Sequence, residues 1–416
     1  MLSHTILILK TLRLAIHQLT TLLHTYLLRH LHKLTYRPVS NPKTIVLIGA
    51  SFAGYHAARC LTATLPTGYR VVVVEKNSHF QLTWVLPRFS VVPGHEEKGF
   101  IPYTGYLGGG EGREWEWVRG RVVRIITDEG GSGQGWVEVE GGGVVEYEYL
   151  VLATGAVSES GLPARVGVEG KEEGMKVLMR EQERVRRARD VVVVGGGAAG
   201  VEMAGDVKGM YPGKNVTLVH SRERLLNRGY GVKLGERVLK ELEGLGVRVV
   251  LGERVVGDDE VSVRLTSGEV VAYDYLVKCV GQRPNSDLLR QCSPLSVSET
   301  GHVRVRSTLQ IADEAYDCIY AAGDLIETDG IQNARAAFEQ AQVVAANIVR
   351  SIKGKTQKQY RPQWWEAATK LTVGLNKSVA YIGDGAAELV IGTTCGEDLD
   401  GAMVWRFLGA KPYEDA

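Results

Sequence analysis

Gly195-Gly-Gly197-Ala-Ala-Gly200-Val-Glu202-Met-Ala follows directly on the apolar run Val191 to Val194 and opens a stretch of helical composition. Strand, glycine turn and helix in that order form the phosphate-holding unit of a dinucleotide fold. The first glycine makes the turn, the second lets backbone approach a pyrophosphate, and the third lets helix and strand pack closely. The first N–H groups of the helix then face the anion. A near-copy, Gly49-Ala-Ser51-Phe-Ala53-Gly54, follows the strand Thr44 to Ile48. Ser51 stands there in place of the middle glycine and narrows the approach. A bare strand-to-helix turn is the alternative at each place, but two such units in one chain point to redox chemistry between two nucleotides.

The surroundings repeat as well. The first unit reads as strand 44–48, a helix from about Ala50 to Leu65 stopped by Pro66 and Gly68, and strand Tyr69 to Glu75. Strand-rich segments at Trp115 to Ile126 and Trp136 to Tyr147 lead to Tyr149-Leu-Val-Leu-Ala153-Thr-Gly155. The second unit runs from Asp190 through strand Val216 to His220 and ends alike, at Tyr275-Leu-Val-Lys-Cys-Val-Gly281. An internal duplication is the simplest account. The fold class expected is α/β: two nested Rossmann-like dinucleotide-binding domains, each with an antiparallel β insertion, and a small C-terminal segment. Cys318-Ile-Tyr-Ala-Ala-Gly323-Asp324 reads as a strand returning to the first domain, followed by a helix from about Asn333 to Ile352. The expected boundaries are 1–43, 44–160, 161–283, 284–355 and 356–416. In the last, Trp364, Trp365 and Trp405 suggest an interface or a membrane-facing cap.

The strand ends assign the nucleotides. Glu75, about 20 residues past the first glycines, suits the ribose hydroxyls of an adenosine half and repels a 2′-phosphate. The second site, which should hold the nicotinamide nucleotide, ends instead in His220-Ser-Arg222-Glu-Arg224. No carboxylate opposes a 2′-phosphate there, and Arg222 or Arg224 can pair with one, so NADPH is expected to be accepted, with or without NADH. A solvated charge cluster is the alternative. Asp324, at a buried strand end, needs a hydrogen-bonding partner such as a ligand hydroxyl, or else caps a turn. Ala153, Gly155, Gly281 and Gly323 stand at the corresponding strand ends and join the candidate cofactor residues.

The net charge is +1, which removes long-range attraction to nucleic acid, and no nucleic-acid partner or metal site is expected. The glycine clusters at 108–112, 130–135 and 141–143 read as turns. Five cysteines carry no C-x-x-C pair. That composition fits a reducing compartment and excludes a thiol relay, which passes electrons through two neighbouring cysteines. Residues 1–43 contain no acid, and Leu9, Leu12, Ile16, Leu19, Leu23 and Tyr26 recur at helical spacing with Arg13, His17, Thr20 and His24 on another face. This basic amphipathic helix fits a membrane surface, a mitochondrial transit peptide, or docking on the protein body. Its polar interruptions disfavour a spanning helix. An intracellular, membrane-peripheral protein of mitochondrion or cytoplasm is expected, as a monomer or a homodimer.

These motifs, together with Pro87-Arg88-Phe-Ser-Val-Val-Pro-Gly94, Phe100-Ile-Pro-Tyr103, Ala345-Ala-Asn347-Ile and Leu371-Thr-Val-Gly374, resemble the two-dinucleotide flavoprotein oxidoreductases. Within them the chain is similar to the apoptosis-inducing-factor-like branch that includes the ferroptosis suppressor proteins, and type II NADH dehydrogenases share the plan. The resemblance implies FAD in the first site, with Glu75 on the ribose, Arg88 and Val122 near the cofactor, and Asp324 on the ribityl chain. It places Glu202 near nicotinamide and flavin in an orienting or proton-handling role, although a carboxylate in a helix's first turn also simply complements the dipole. Direct hydride transfer from NAD(P)H to flavin is implied, with a quinone as the favoured acceptor. A small iron–sulfur protein is the competing acceptor, and a redox sensor forming a stable charge-transfer complex is the non-catalytic reading. Two departures stand out. Met1-Leu2-Ser3 lacks the glycine that myristoylation needs, and Ala334-Arg335-Ala-Ala-Phe-Glu339-Gln340 stands where type II dehydrogenases carry quinone-facing glutamines.

Overall fold

The computed structural model describes residues 2–103, 105–107, 114–128, 134–158, 165–227 and 229–415. Its helices are α1 (Leu2–Thr35), α2 (Phe52–Thr62), α3 (Leu86–Phe89), α4 (Lys171–Arg187), α5 (Ala198–Met210), α6 (Val232–Leu245), α7 (Asp287–Cys292), α8 (Ala334–Ile352) and α9 (Gly401–Phe407). Near-continuous Val, Ile and Leu runs make strands that are buried on both faces, which is what a parallel sheet between helices requires. The first domain is a five-stranded parallel sheet in the order Ile319–Ala321, Tyr149–Leu152, Lys43–Ile48, Tyr69–Glu75, Trp115–Arg119. The second is a four-stranded parallel sheet in the order Arg248–Leu251, Asn215–His220, Asp190–Val194, Tyr275–Lys278.

The nesting expected from the repeat is present. The chain leaves the first domain through Ala156–Ser158 and returns through Gln282–Pro284, and these two segments pair antiparallel side by side. Thr154 Oγ1 donates to the Asn285 carbonyl at 2.7 Å and Asn285 N–H to the Gly155 carbonyl at 2.9 Å, closing the crossing.

Three expectations change. Trp115–Arg119 is a parallel edge strand of the main sheet, not part of an insertion, and the antiparallel ribbon starts at Val122 (Val122–Thr127, Gly135–Val139, Gly143–Tyr147). The helix expected over 50–65 is shorter, Phe52–Thr62, because the glycine turn occupies 49–51. Trp405 is 1% exposed and donates its indole N–H to the Lys98 carbonyl at 3.0 Å, so it belongs to the core and not to an outward-facing cap. Of the glycine clusters, 141–142 forms a hairpin turn with φ of +92° and +94°; residues 108–112 and 130–133 lie outside the described residues.

The C-terminal segment folds as a three-stranded antiparallel sheet (Thr369–Thr372, Lys377–Gly383, Glu388–Thr394) followed by α9. Glu388 accepts from the free N–H groups of Val232 and Lys233 at the start of α6, at 3.1 and 3.2 Å. With Trp405 packed into the first domain, this segment ties the two dinucleotide domains together.

Candidate functional site

Both glycine turns are built alike, and the reason is steric. Gly49 has φ +93°, and a Cβ there would stand 2.6 Å from the Ala153 carbonyl oxygen; a Cβ on Gly54 would stand 1.8 Å from the Gly49 oxygen. Gly195 has φ +115° and meets the Cys279 oxygen at 2.7 Å, while Gly200 meets the Gly195 oxygen at 1.8 Å. The first and third glycines are thus required by backbone crossing and close helix packing. The middle position differs: nothing lies within 4 Å of a Cβ on Gly197. Gly197 and Ser51 are the N-caps of α5 and α2, and neither helix has a side-chain cap bond or an acidic residue in its first turn. Each helix therefore presents uncapped N–H groups at an open turn, which fits a pyrophosphate.

The other expected residues collect at the carboxyl edges of the same sheets. Glu75 is 4% exposed and accepts from Ala50 N–H at 2.5 Å and Asn77 N–H at 2.7 Å, with burial raising its pKa above the usual carboxylate value. Each oxygen keeps a further acceptor site for a ribose hydroxyl. Val122 is buried just past Gly120, whose N–H donates to the Glu75 carbonyl at 2.9 Å. Ala153 and Gly155 (φ +66°) close the third strand, and Gly281 (φ +79°) stands in the equivalent place of the second domain. A Cβ on Gly323 (φ +84°) would be 3.1 Å from that of Ala53, which brings Gly323 and Asp324 against the start of α2. Asp324 is half-buried with Arg165 at 3.4 Å. Its carboxylate therefore has a cationic partner.

In the second domain the His220 ring holds the turn: its Nδ1 accepts from Gly196 N–H at 3.0 Å, and burial lowers its pKa, so the neutral imidazole is the form present. Arg222 and Arg224 are exposed and, among the described residues, enter no ion pair.

Arg88 is held by the protein on several sides. Its Nε lies 2.8 Å from Asp206, and its two terminal nitrogens donate to the carbonyls of Gly374 and Leu375 at 3.1 Å each. Both charged groups are buried, Arg88 at 1% and Asp206 at 0% exposure. One turn before Asp206, Glu202 accepts from Thr372 N–H at 3.2 Å and Thr372 Oγ1 at 3.3 Å. Burial, with the Asp206 charge beside it, pushes Glu202 up to about 8. Glu202 is the fifth residue of α5, beyond the first turn, so complementing the helix dipole does not account for it.

Asp206, Thr372 and Gln340 were not singled out from sequence. Gln340 Oε1 accepts from Gly323 N–H at 2.7 Å, its Nε2 donates to the Tyr360 hydroxyl at 3.4 Å, and that hydroxyl donates to Glu366 at 3.0 Å. The only sequence signals were the Leu371-Thr-Val-Gly374 stretch, which supplies both Thr372 and Gly374, and the glutamine itself. The Asn333 side chain accepts from Ala336 N–H at 3.0 Å, capping α8 as expected for the helix that starts there.

Two glycine turns at helix N-termini on two nested parallel sheets, with a buried carboxylate at the end of the first sheet's next strand, are the arrangement of a two-dinucleotide flavoprotein. The chain belongs to the pyridine nucleotide-disulphide oxidoreductase family, which matches residues 43–341, and it is an oxidoreductase that uses FAD and NAD(P)H. Among its relatives, Fe-regulated protein 8 of Mycosarcoma maydis is 34% identical over 400 residues, covering 88% of this chain and 95% of that protein. Human ferroptosis suppressor protein 1 is 29% identical over 379 residues, covering 88% and 96%. In fold, the chain is similar to the sulfide:quinone oxidoreductase of Aquifex aeolicus, with a TM-score of 0.70 at 17% identity over 88% of this chain and 90% of that one.

Proposed function

We propose that the protein is an FAD-dependent NAD(P)H:quinone oxidoreductase that draws its acceptor from a membrane. The observation that carries the reading is the pair of open phosphate turns in a chain without a cysteine relay. Cys60 and Cys279 are pushed up to about 12 by burial, which keeps both as inert thiols. FAD in the first site supplies two-electron exchange between nicotinamide and acceptor.

The chain's own residues do the rest. The N-terminus of α2 and Glu75 hold the adenosine half of the flavin nucleotide, with Asp324 and the Gln340-supported Gly323 at its ribityl side. The N-terminus of α5 holds the pyridine nucleotide, and Arg222 supplies a cation for a 2′-phosphate. Glu202, with its pKa near 8, carries a proton on its carboxyl at neutral pH and can give it up within a buried site. Arg88, paired with Asp206, ties α5 to the Gly374 and Leu375 carbonyls beside it.

The test is steady-state oxidation of NADPH and NADH by the flavin-loaded protein with quinones, dyes, oxygen and small iron–sulfur proteins offered separately. Quinone turnover supports the proposal. Salt-sensitive turnover with an iron–sulfur protein alone replaces the acceptor, and a persistent long-wavelength band that quinone does not discharge replaces the enzyme with a sensor.

A further inference from the structure

Helix α1 is apolar on the face turned away from the protein as well as on the face that meets it. A helix resting on a water-soluble body turns its apolar stripe inward. In α1 the inward face mixes apolar and polar positions, Leu7 (0% exposed), Thr11, Leu14, Gln18, Thr21, Leu28 and His32, while the outward face carries Leu9, Leu12, Ile16, Leu19, Leu23 and Leu27, each between 52% and 68% exposed. Twelve of the large apolar side chains exposed among the described residues lie on this one helix. Water-soluble proteins rarely leave so long an apolar strip uncovered.

Length does not identify what covers it, because Leu2–His32 is long and apolar enough to cross a membrane. The expectation that its polar interruptions disfavour a span has to rest on how the helix is held. Four contacts pin it to the body: Lys10 to Asp384 at 2.5 Å, Gln18 to Glu339 at 3.5 Å, Arg29 to the Leu107 carbonyl at 2.7 Å, and His32 to the Leu65 carbonyl at 2.8 Å. At 1.5 Å per residue the first and last lie about 33 Å apart along the axis. A spanning helix would surrender all but one end of that row. Charge decides between the remaining occupants. Leu2–Thr35 carries cations and no carboxylate; Lys10 and Arg29 are engaged with the body, and Arg13 stays exposed on the outer side. A second copy of the helix would set like charges together, whereas anionic headgroups complement them.

We propose that α1 lies in the plane of an anionic lipid leaflet, its leucine face sunk at the acyl boundary and its polar face holding the catalytic body against the surface. The quinone reading supplies the purpose of this anchor, so the inference rests on it for function; the binding itself is measured separately.

The test is flotation of the full-length, FAD-loaded protein with phosphatidylcholine vesicles with and without about 30 mol % phosphatidylserine. Wild type is expected to float with the serine-containing vesicles, less so at high salt. Leu12→Glu with Leu19→Glu should lower the bound fraction at least about tenfold and leave NADPH oxidation with a water-soluble dye unchanged. Equal flotation of the variant, no flotation of the wild type, or resistance to alkaline carbonate stripping, which marks a spanning helix, would each overturn the proposal. So would a dimer in lipid-free solution that the double variant dissociates. Intact flotation without quinone turnover would remove the acceptor and leave the anchor standing.

Discussion

Replacing Glu202 with Gln separates a protonated carboxyl from an ionised one, and an unfolding titration reads the difference independently of turnover. Glu202 Oε1 takes both bonds from Thr372, and an amide oxygen can take the same two, but an amide cannot ionise. The folded-state pKa is raised from 4.5 to about 8. Below the lower value the side chain is neutral in the folded and unfolded chain alike, and wild type and variant should be equally stable. As pH rises from there to about 8, the unfolded carboxyl ionises while the folded one keeps its proton, so wild-type stability falls relative to the variant. Each pH unit in that window is worth about 1.4 kcal/mol, which gives roughly 3 kcal/mol at neutral pH and a plateau of about 5 kcal/mol above pH 8. The assay is urea unfolding of flavin-loaded wild type and Glu202→Gln at about one-unit steps between about pH 5 and pH 9, followed by flavin release and tryptophan fluorescence. Curves that run parallel with pH refute the reasoning, because they mean that Glu202 is already ionised in the fold.

Asp206→Asn removes the counter-charge of the buried Arg88 and should cost about 3 to 5 kcal/mol; Arg88→Met combined with Asp206→Leu should restore most of it in the same titration. Gly54→Ala and Gly200→Ala force the same 1.8 Å contact in different domains, so the first should purify colourless and the second yellow but unreduced by NADPH in rapid mixing. Either one behaving as wild type contradicts the assignment of sites. Arg222→Ala should lower kcat/KM for NADPH by about tenfold or more, the value of one charge-assisted hydrogen bond, with NADH unaffected. An equal loss with both nucleotides removes Arg222 from the 2′-phosphate.

The turns were legible in sequence because their demand is local. Gly49 and Gly54 lie five residues apart, as do Gly195 and Gly200; the second of each pair meets the carbonyl of the first, and the first takes a positive φ at the turn, so the spacing shows in sequence even though the first also crosses the distant Ala153 or Cys279 carbonyl. Nesting was legible too, since a duplicated pattern interrupted by its own copy leaves few other topologies. The burial partner of Arg88 was not, because Asp206 and Gly374 reach it only through the packing of three segments far apart in the chain. Trp115–Arg119 shows another limit. Its composition announces a strand, but whether it pairs parallel with Tyr69–Glu75 or antiparallel with its neighbour is decided by sheet assembly. For α1 the two faces could be read from spacing alone, but which of them meets the protein could not.

The nested connectivity bears on how the protein is made. The second domain lies wholly between two touching segments of the first, Ala156–Ser158 and Gln282–Pro284. A growing chain can form its four-stranded sheet while the first sheet still lacks Ile319–Ala321 and its covering helix α8, but Leu371, Val373, Val379 and Tyr381 close its core only afterwards. On the ribosome the sheet of the second domain should therefore form first, although it is encoded second and its core closes only with the C-terminal segment. The flavin half must wait as an open-edged intermediate until the chain beyond residue 352 has emerged, and that interval is where flavin supply and chaperone protection should matter most.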